Sequence, residues 1–270
     1  MSEEIKLNEP DQHNGRSVYS QRELWNAEAQ RYALSPTASF DSDGFLKILS
    51  ESGILDSQTR VFDLGCGPGI YSVAIARHVK EVVGVDISEE MLSYARQRAS
   101  DECRSNCSFY RLDWQSADLK QLNLFKAFDV AAARLTPAVN TPDDMDKLLE
   151  CARRAVFMEQ FINRSHPWMH LAFEIAGAGK PWDDGRVDRI TEHLKHNGVR
   201  TVLYSRSAQW GAETRPWQQV ADFCLRRLAL KQTLSDELIG AIRSEFEKRS
   251  RDGVLDARET VTLITVQCML

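Results

Sequence analysis

Three aspartates and three glycines fall at spacings that suit the capture of a nucleotide-like ligand. Asp63, Gly65, Gly67 and Gly69 lie in the run Val61-Phe-Asp-Leu-Gly-Cys-Gly-Pro-Gly-Ile70, and Asp86 closes Val82-Val-Gly-Val-Asp86, twenty-one residues beyond Gly65. Glycines let the chain turn sharply and leave no Cβ in the way of a ligand. A carboxylate about 20 residues further on can accept one hydrogen bond on each oxygen from the two hydroxyls of a ribose. Asp113 ends another run, Cys107-Ser-Phe-Tyr-Arg-Leu112, and is followed by Trp114.

These residues need strands to carry them and a helix to follow the glycines. Val61–Leu64, Glu81–Val85 and Cys107–Leu112 read as strands, and Tyr71, Val73, Ala74 and Ile75 as the apolar side of a helix. The acids then share the carboxyl edge of one sheet, where open α/β folds bind ligands. The unpaired amides at the start of that helix imply an anionic group over the loop.

A dinucleotide fingerprint would place glycine or alanine at position 70, where this chain has Ile70. The pattern present is Asp-x-Gly-x-Gly-x-Gly, Asp63 to Gly69. In this it resembles the class I S-adenosylmethionine-dependent methyltransferases, in particular the small-molecule group called type 11, over roughly residues 20 to 165. The resemblance implies a Rossmann-like, doubly wound α/β fold. Its seven-stranded sheet would be mostly parallel with an antiparallel last strand, and here would carry a helical insertion. It implies S-adenosylmethionine as donor and S-adenosylhomocysteine as product. Asp63 would orient the methionine end, with the backbone of Gly65, Cys66 and Gly67 packed against it and Gly69 completing the turn. Asp86 would hold the ribose, Ile87 and Met91 would flank the adenine, and Asp113, beside Trp114, would meet its amino group. Trp25, Ala29 and Tyr32 resemble the family's opening helix and loop over the cofactor. Tyr32 reads equally as a cofactor contact or a packing residue, and Trp25 as packing.

Ala127–Ala133 reads as a fourth strand, and Arg134-Leu-Thr-Pro-Ala-Val-Asn140 follows it where the methyl group would meet its acceptor. The Asn-Pro-Pro-Tyr type of segment found in many amino-group methyltransferases is absent. Arg134 and Thr136 are left as candidates to contact the cofactor or an acidic or hydroxylated acceptor, with pairing to a nearby acid the favoured reading for the Arg134 side chain. Thr141-Pro-Asp-Asp opens a helix with a capping residue and an early proline. Val156–Ile162 reads as a fifth strand, interrupted by Glu159 and Gln160, and Val199–Ser205 as a sixth. His166, His170 and Glu159 are the candidate general bases. In-line methyl transfer depends chiefly on positioning, so no base is required. His166 and His170 lack a third ligand partner, so no metal is expected.

The organisation predicted is a mobile arm over 1–18 and one domain over 19–270. That domain would hold a lid helix at 20–33, an irregular segment at 163–182 over the acceptor, a helix from Asp183 to His196, and a helical cap at 213–257. The cap reads as a lid, a dimer contact or a stabilising element. Arg258–Cys268 alternates as a half-exposed final strand should. The net charge of −5, from 34 Lys and Arg against 39 Asp and Glu, gives no footprint for nucleic acid. No apolar stretch spans a membrane and no secretory signal opens the chain. Six cysteines without a framework fit free thiols in the cytoplasm. The expected function is methylation of a small molecule. Protein or RNA methylation, or cofactor binding without turnover, are the alternatives.

Overall fold

The computed structural model describes residues 16–181, 185–210 and 214–270. Most of the arm, residues 1–15, lies outside them, as do Asp183 and one end each of the segments 163–182 and 213–257.

The parallel strands form where apolar runs permit burial on both faces. β1 (Arg60–Leu64) lies between β2 (Glu81–Asp86) and β4 (Phe128–Arg134), β3 (Cys107–Arg111) pairs with β2, and β5 (Ala152–Ser165) pairs with β4, all in parallel. With β6 (Arg200–Trp210) and β9 (Glu259–Met269) the sheet has seven strands in the order β3-β2-β1-β4-β5-β9-β6, one of them antiparallel. The reversal of strand order between β1 and β4 puts a crevice at their carboxyl ends.

Chain contacts divide the molecule into two compact units where one domain was expected, with boundaries inside β5, β6 and β9. The first runs up to Gln160 and adds Asp188–Tyr204 and Thr265–Leu270. Helix α1 (Arg16–Ala33) starts ahead of the lid helix predicted from 20, so residues 16–18 are helical rather than part of an arm. It packs along α4 (Glu89–Asp101). Asp43 caps α2 (Gly44–Glu51) by accepting from the amides of Phe45 and Leu46. Ser88 caps α4, whose Glu89 and Glu90 suit the positive end of the helix. Thr141 and Asp144 cap α5 (Pro142–Cys151) reciprocally. The core gathers Phe45, Leu46, Leu49, Val61, Ile75 and Phe157.

The second unit comprises Phe161–Val187 and Ser205–Ile264. Its core joins α6 (Pro167–Ile175), α8 (Trp217–Ala229) and α9 (Asp236–Arg249) through Met169, Phe173, Cys224, Leu228, Ile242 and Phe246. The irregularity predicted over 163–182 is corrected here: β5 runs on to Ser165, His166 caps α6, and Pro167 starts it. Gly177, at φ 61°, follows its end. The proline and glycine taken as breaks are helix boundaries. The segment expected as a helical cap from 213 to 257 also holds β7 (Thr214–Pro216) and β8 (Val254–Asp256), paired antiparallel. Helix α7 (Arg186–His196) spans the join between the units.

Candidate active site

All the strand-end acids belong to the first unit. Asp63 leaves the end of β1 almost fully buried and accepts a hydrogen bond from the Ser72 hydroxyl at 2.5 Å. Burial pushes its carboxyl up to about 6; the Ser72 bond opposes the shift, nearby Asp86 adds to it and Arg134 opposes it. At the end of β2, Asp86 accepts from Gly67 N–H on Oδ2 and from Ser88 N–H on Oδ1, both at 2.9 Å. Burial raises its carboxyl, and those amide bonds oppose the shift. Each oxygen keeps a further lone pair.

The glycine turn is closed on the protein itself. Gly65 and Cys66 both donate to the Val85 carbonyl, Gly67 to Asp86, and Gly69 to the Cys66 carbonyl. These four amides are therefore engaged within the protein, and the helix that follows, α3 (Ile70–Ala76), has seven residues. Gly65, Gly67 and Gly69 have φ of 70°, 53° and 75°, the left-handed region that favours glycine. A Cβ on Gly67 would meet only Met91 Sδ, at 3.9 Å, so the face between this glycine and Met91 is open. Cys66 is buried against Phe109, and burial together with Asp86 and Asp63 keeps it a thiol.

Asp113 is 2% exposed. Its Oδ1 accepts from Gln115 N–H at 3.1 Å, while Oδ2 is buried with no hydrogen-bond partner. Such an orphaned acceptor is costly unless a ligand or water supplies the donor. Trp114 is buried too; Lys147 Nζ donates to its carbonyl at 2.6 Å, and its indole N–H has no partner.

A family model described as a methyltransferase domain matches residues 55–248, most of this chain. The chain belongs to that family. It carries a methyltransferase domain. A magnesium-protoporphyrin O-methyltransferase of Rhodobacter capsulatus is 39% identical over 70 residues, covering 26% of this chain and 31% of the relative. A 23S rRNA uracil-C5 methyltransferase of Shewanella sediminis is 44% identical over 62 residues, covering 23% and 14%. The chain thus spans less than a third of the length of either. Among solved structures, phosphoethanolamine N-methyltransferase 2 of Haemonchus contortus, in complex with phosphomonomethylethanolamine and S-adenosylhomocysteine, superposes with a TM-score of 0.56 at 14% identity, over 97% of this chain and 61% of that one. Magnesium protoporphyrin IX methyltransferase of Synechocystis, with bound S-adenosylhomocysteine, gives 0.51 at 16% identity, over 92% and 98%. Both likenesses show a shared fold.

The β4 end of the chain is a strained corner. Leu135 stands at φ 53°, a conformation rarely adopted by a residue with a branched side chain. Arg134 pairs with a nearby acid: its Nε lies 2.9 Å from Glu159 Oε1, in an ion pair rather than an aligned hydrogen bond, and its guanidinium stacks 4.1 Å from the Tyr71 ring centre. Glu159 is fully buried and also accepts from the Thr265 hydroxyl at 3.0 Å. It therefore holds Arg134. The other candidate bases sit in the second unit. Burial lowers the pKa of His166 and favours the neutral ring, whose Nδ1 accepts from Met169 N–H at 3.2 Å as the cap of α6. His170 is on the exposed side of the same helix. Tyr32 is half-buried on α1, 6.1 Å from Trp25 between ring centres and with Arg31 stacked 4.4 Å above it. Ile87 is half-buried after β2 and Met91 buried in the first turn of α4. Among the described residues no group of three His, Cys, Asp or Glu is arranged to hold a metal ion.

Two positioning residues escaped the sequence. Arg98, on α4, donates to the carbonyls of Pro68, Ala33 and Ser35 at 2.9, 3.1 and 2.8 Å, tying the glycine turn to the end of α1. Ser88, besides capping α4, donates to Asn26 on α1 at 2.6 Å. An arginine or serine on an amphipathic helix carries no signal of such partners, which are distant in sequence.

Proposed function

We propose that this methyltransferase acts on a small molecule and that Asp63, Asp86 and Asp113 hold its donor. The observation that carries the assignment is the orphaned Oδ2 of Asp113, a buried acceptor that fits the exocyclic amino group of an adenine. The free lone pairs of Asp86 fit the ribose hydroxyls, and the open face between Gly67 and Met91 fits a flat ring. Asp63, with Gly65, Cys66 and Gly69 supporting the turn, would face the charged methionine end; Ile87, Trp114 and Tyr32 would border the site. Arg134 is held ready for an anionic group of donor or acceptor. When bound, S-adenosylmethionine supplies a methyl group activated by its sulfonium charge. The protein's contribution is to position the partners, worth roughly 7 to 11 kcal/mol of barrier.

Two observations favour a small acceptor. The net charge is −5. The likenesses that run along nearly the whole chain are to enzymes named for phosphoethanolamine and magnesium protoporphyrin, whereas the match to the rRNA enzyme covers 23% of it. That short match keeps RNA as the second reading. No helix among the described residues is long and apolar enough to cross a membrane. The six free cysteines suit the cytoplasm.

Calorimetric titration with S-adenosylhomocysteine tests the donor site. We expect Asp86→Ala to weaken binding about 100-fold and Asp113→Ala about 10-fold, in keeping with lost charged acceptors. Unchanged affinity in both variants would remove these assignments. A labelled-methyl screen over small hydroxyl, amine and carboxyl acceptors beside total RNA tests the acceptor. Salt-sensitive label in RNA alone would overturn the small-molecule reading.

A further inference from the structure

The outer flank of β3 and the last turns of α4 border an open cleft of about 360 Å³. Arg96, Ser100, Arg104, Ser108 and Tyr110 line it, with Phe109 at its floor, and no lining residue is acidic. Phe109 also packs against the turn: a Cβ on Gly69 would come within 3.4 Å of its ring, so this aromatic stands between the cleft and the glycine loop. The cleft is therefore separate from the strand-end acids.

Its two guanidinium groups differ in a telling way. Arg96 is fixed over the free edge of β3, with Nη1 on Glu89 at 2.6 Å and Nη2 donating to the Phe109 carbonyl at 3.1 Å. The Arg104 side chain makes no hydrogen bond or ion pair among the described residues, and its Nε is buried without an acceptor. Its backbone N–H closes on the Ala99 carbonyl at 2.8 Å, which holds the residue at the end of α4. A charged donor buried and unsatisfied calls for an external anion or water. Two guanidinium groups and the hydroxyls of Ser100 and Ser108 offer donors from several directions. That arrangement suits a tetrahedral dianion better than a planar carboxylate, which one guanidinium fork satisfies. The volume falls in the range of small-molecule sites, with room for a modest organic body.

We propose that this cleft binds the phosphate group of a small phosphomonoester. The test is calorimetric titration of the full chain with glycerol 3-phosphate, inorganic phosphate and acetate at constant ionic strength. Glycerol 3-phosphate is expected to saturate one site at millimolar concentration or below, inorganic phosphate more weakly, and acetate not at all. Arg104→Gln is expected to weaken the phosphomonoester at least about tenfold, while leaving S-adenosylhomocysteine affinity unchanged. Should that variant fail to fold, Ser108→Ala carries the test, with a loss of about threefold. No saturable binding of either phosphate, acetate binding as well as phosphate, or undiminished binding in both variants overturns the proposal. So does salt-sensitive binding of single-stranded RNA without binding of the phosphomonoester.

Discussion

Thr136 fills the space that a side chain on Gly65 would need: its Cβ lies 2.5 Å from where a Cβ on that glycine would stand. The contact joins the β4 corner to the glycine turn. Thr136 is itself fixed there, since its hydroxyl accepts from Ala138 N–H at 3.2 Å and its carbonyl accepts from Gln160 at 2.7 Å.

Gly65→Ala therefore meets a fixed neighbour and also an unfavourable φ of 70°. We expect a loss of about 2 to 4 kcal/mol in chemical denaturation, the strain and overpacking combined. Thr136→Gly in the same chain is expected to restore the packing part, leaving the backbone part of about 1 to 2 kcal/mol. Strict additivity of the two substitutions would show that the contact is not what limits position 65.

The raised carboxyl of Asp63 makes a signed prediction about pH. Its folded-state value of about 6 stands above the ordinary 3.8, so the folded protein binds the proton more tightly than the unfolded chain. This group's contribution to stability is complete below pH of about 4 and is lost as pH rises to about 6, by at most about 3 kcal/mol. Asp63→Asn lacks that term. Urea unfolding of both proteins from pH 4 to pH 7, without cofactor, should show the variant gaining on the parent across this window and by a constant amount above it. A constant difference throughout would mean that Asp63 titrates normally.

Arg134 and Glu159 form a pair with little access to water, the side chains 15% and 0% exposed. Arg134→Met takes the paired guanidinium away from the buried Glu159 carboxylate, and we expect a loss of about 3 to 5 kcal/mol. Glu159→Gln keeps the hydrogen-bond capacity toward Thr265 and removes the charge. Combining the two should recover much of the loss, because a buried pair replaced as a unit is close to neutral. A double-mutant cycle in denaturant reads the coupling, and a value near zero would mean that the ion pair is not formed in solution.

The turn and the strand-end acids were legible in the sequence because their requirements are local. Left-handed φ calls for glycine at 65, 67 and 69, and doubly buried strands call for unbroken apolar runs before Asp63 and Asp86. Helix α6 was hidden by its own boundaries, since His166, Pro167 and Gly177 look like interruptions until the cap geometry is seen. The ribbon of β7 and β8, three residues a side, is too short for alternation to register. Contacts such as Thr136 on Gly65, or Glu159 beneath Arg134, depend on strands that meet only after folding. The same limit applies to Arg98.

Arg98 is the residue through which α1 is expected to act on the donor site. Its guanidinium spans the Pro68 carbonyl in the glycine turn and the Ala33 and Ser35 carbonyls at the end of α1, and it also donates to the Thr37 hydroxyl at 3.1 Å. Arg98→Met removes these donors while keeping the length of the apolar stem. Charged hydrogen bonds to neutral carbonyls contribute roughly 1.5 to 3 kcal/mol where they are protected from water, and less at this partly exposed position. Because α1 is also held by Asn26 and Ser88, the fold should survive and the helix end should loosen. We expect faster proteolytic cleavage between Ala33 and Thr37 and about 3- to 10-fold weaker binding of S-adenosylhomocysteine. A lysine at 98 can reach one carbonyl but not three, so it should rescue only part of the affinity. Full affinity with faster cleavage would separate the strap from the donor site and leave Arg98 with a purely structural role.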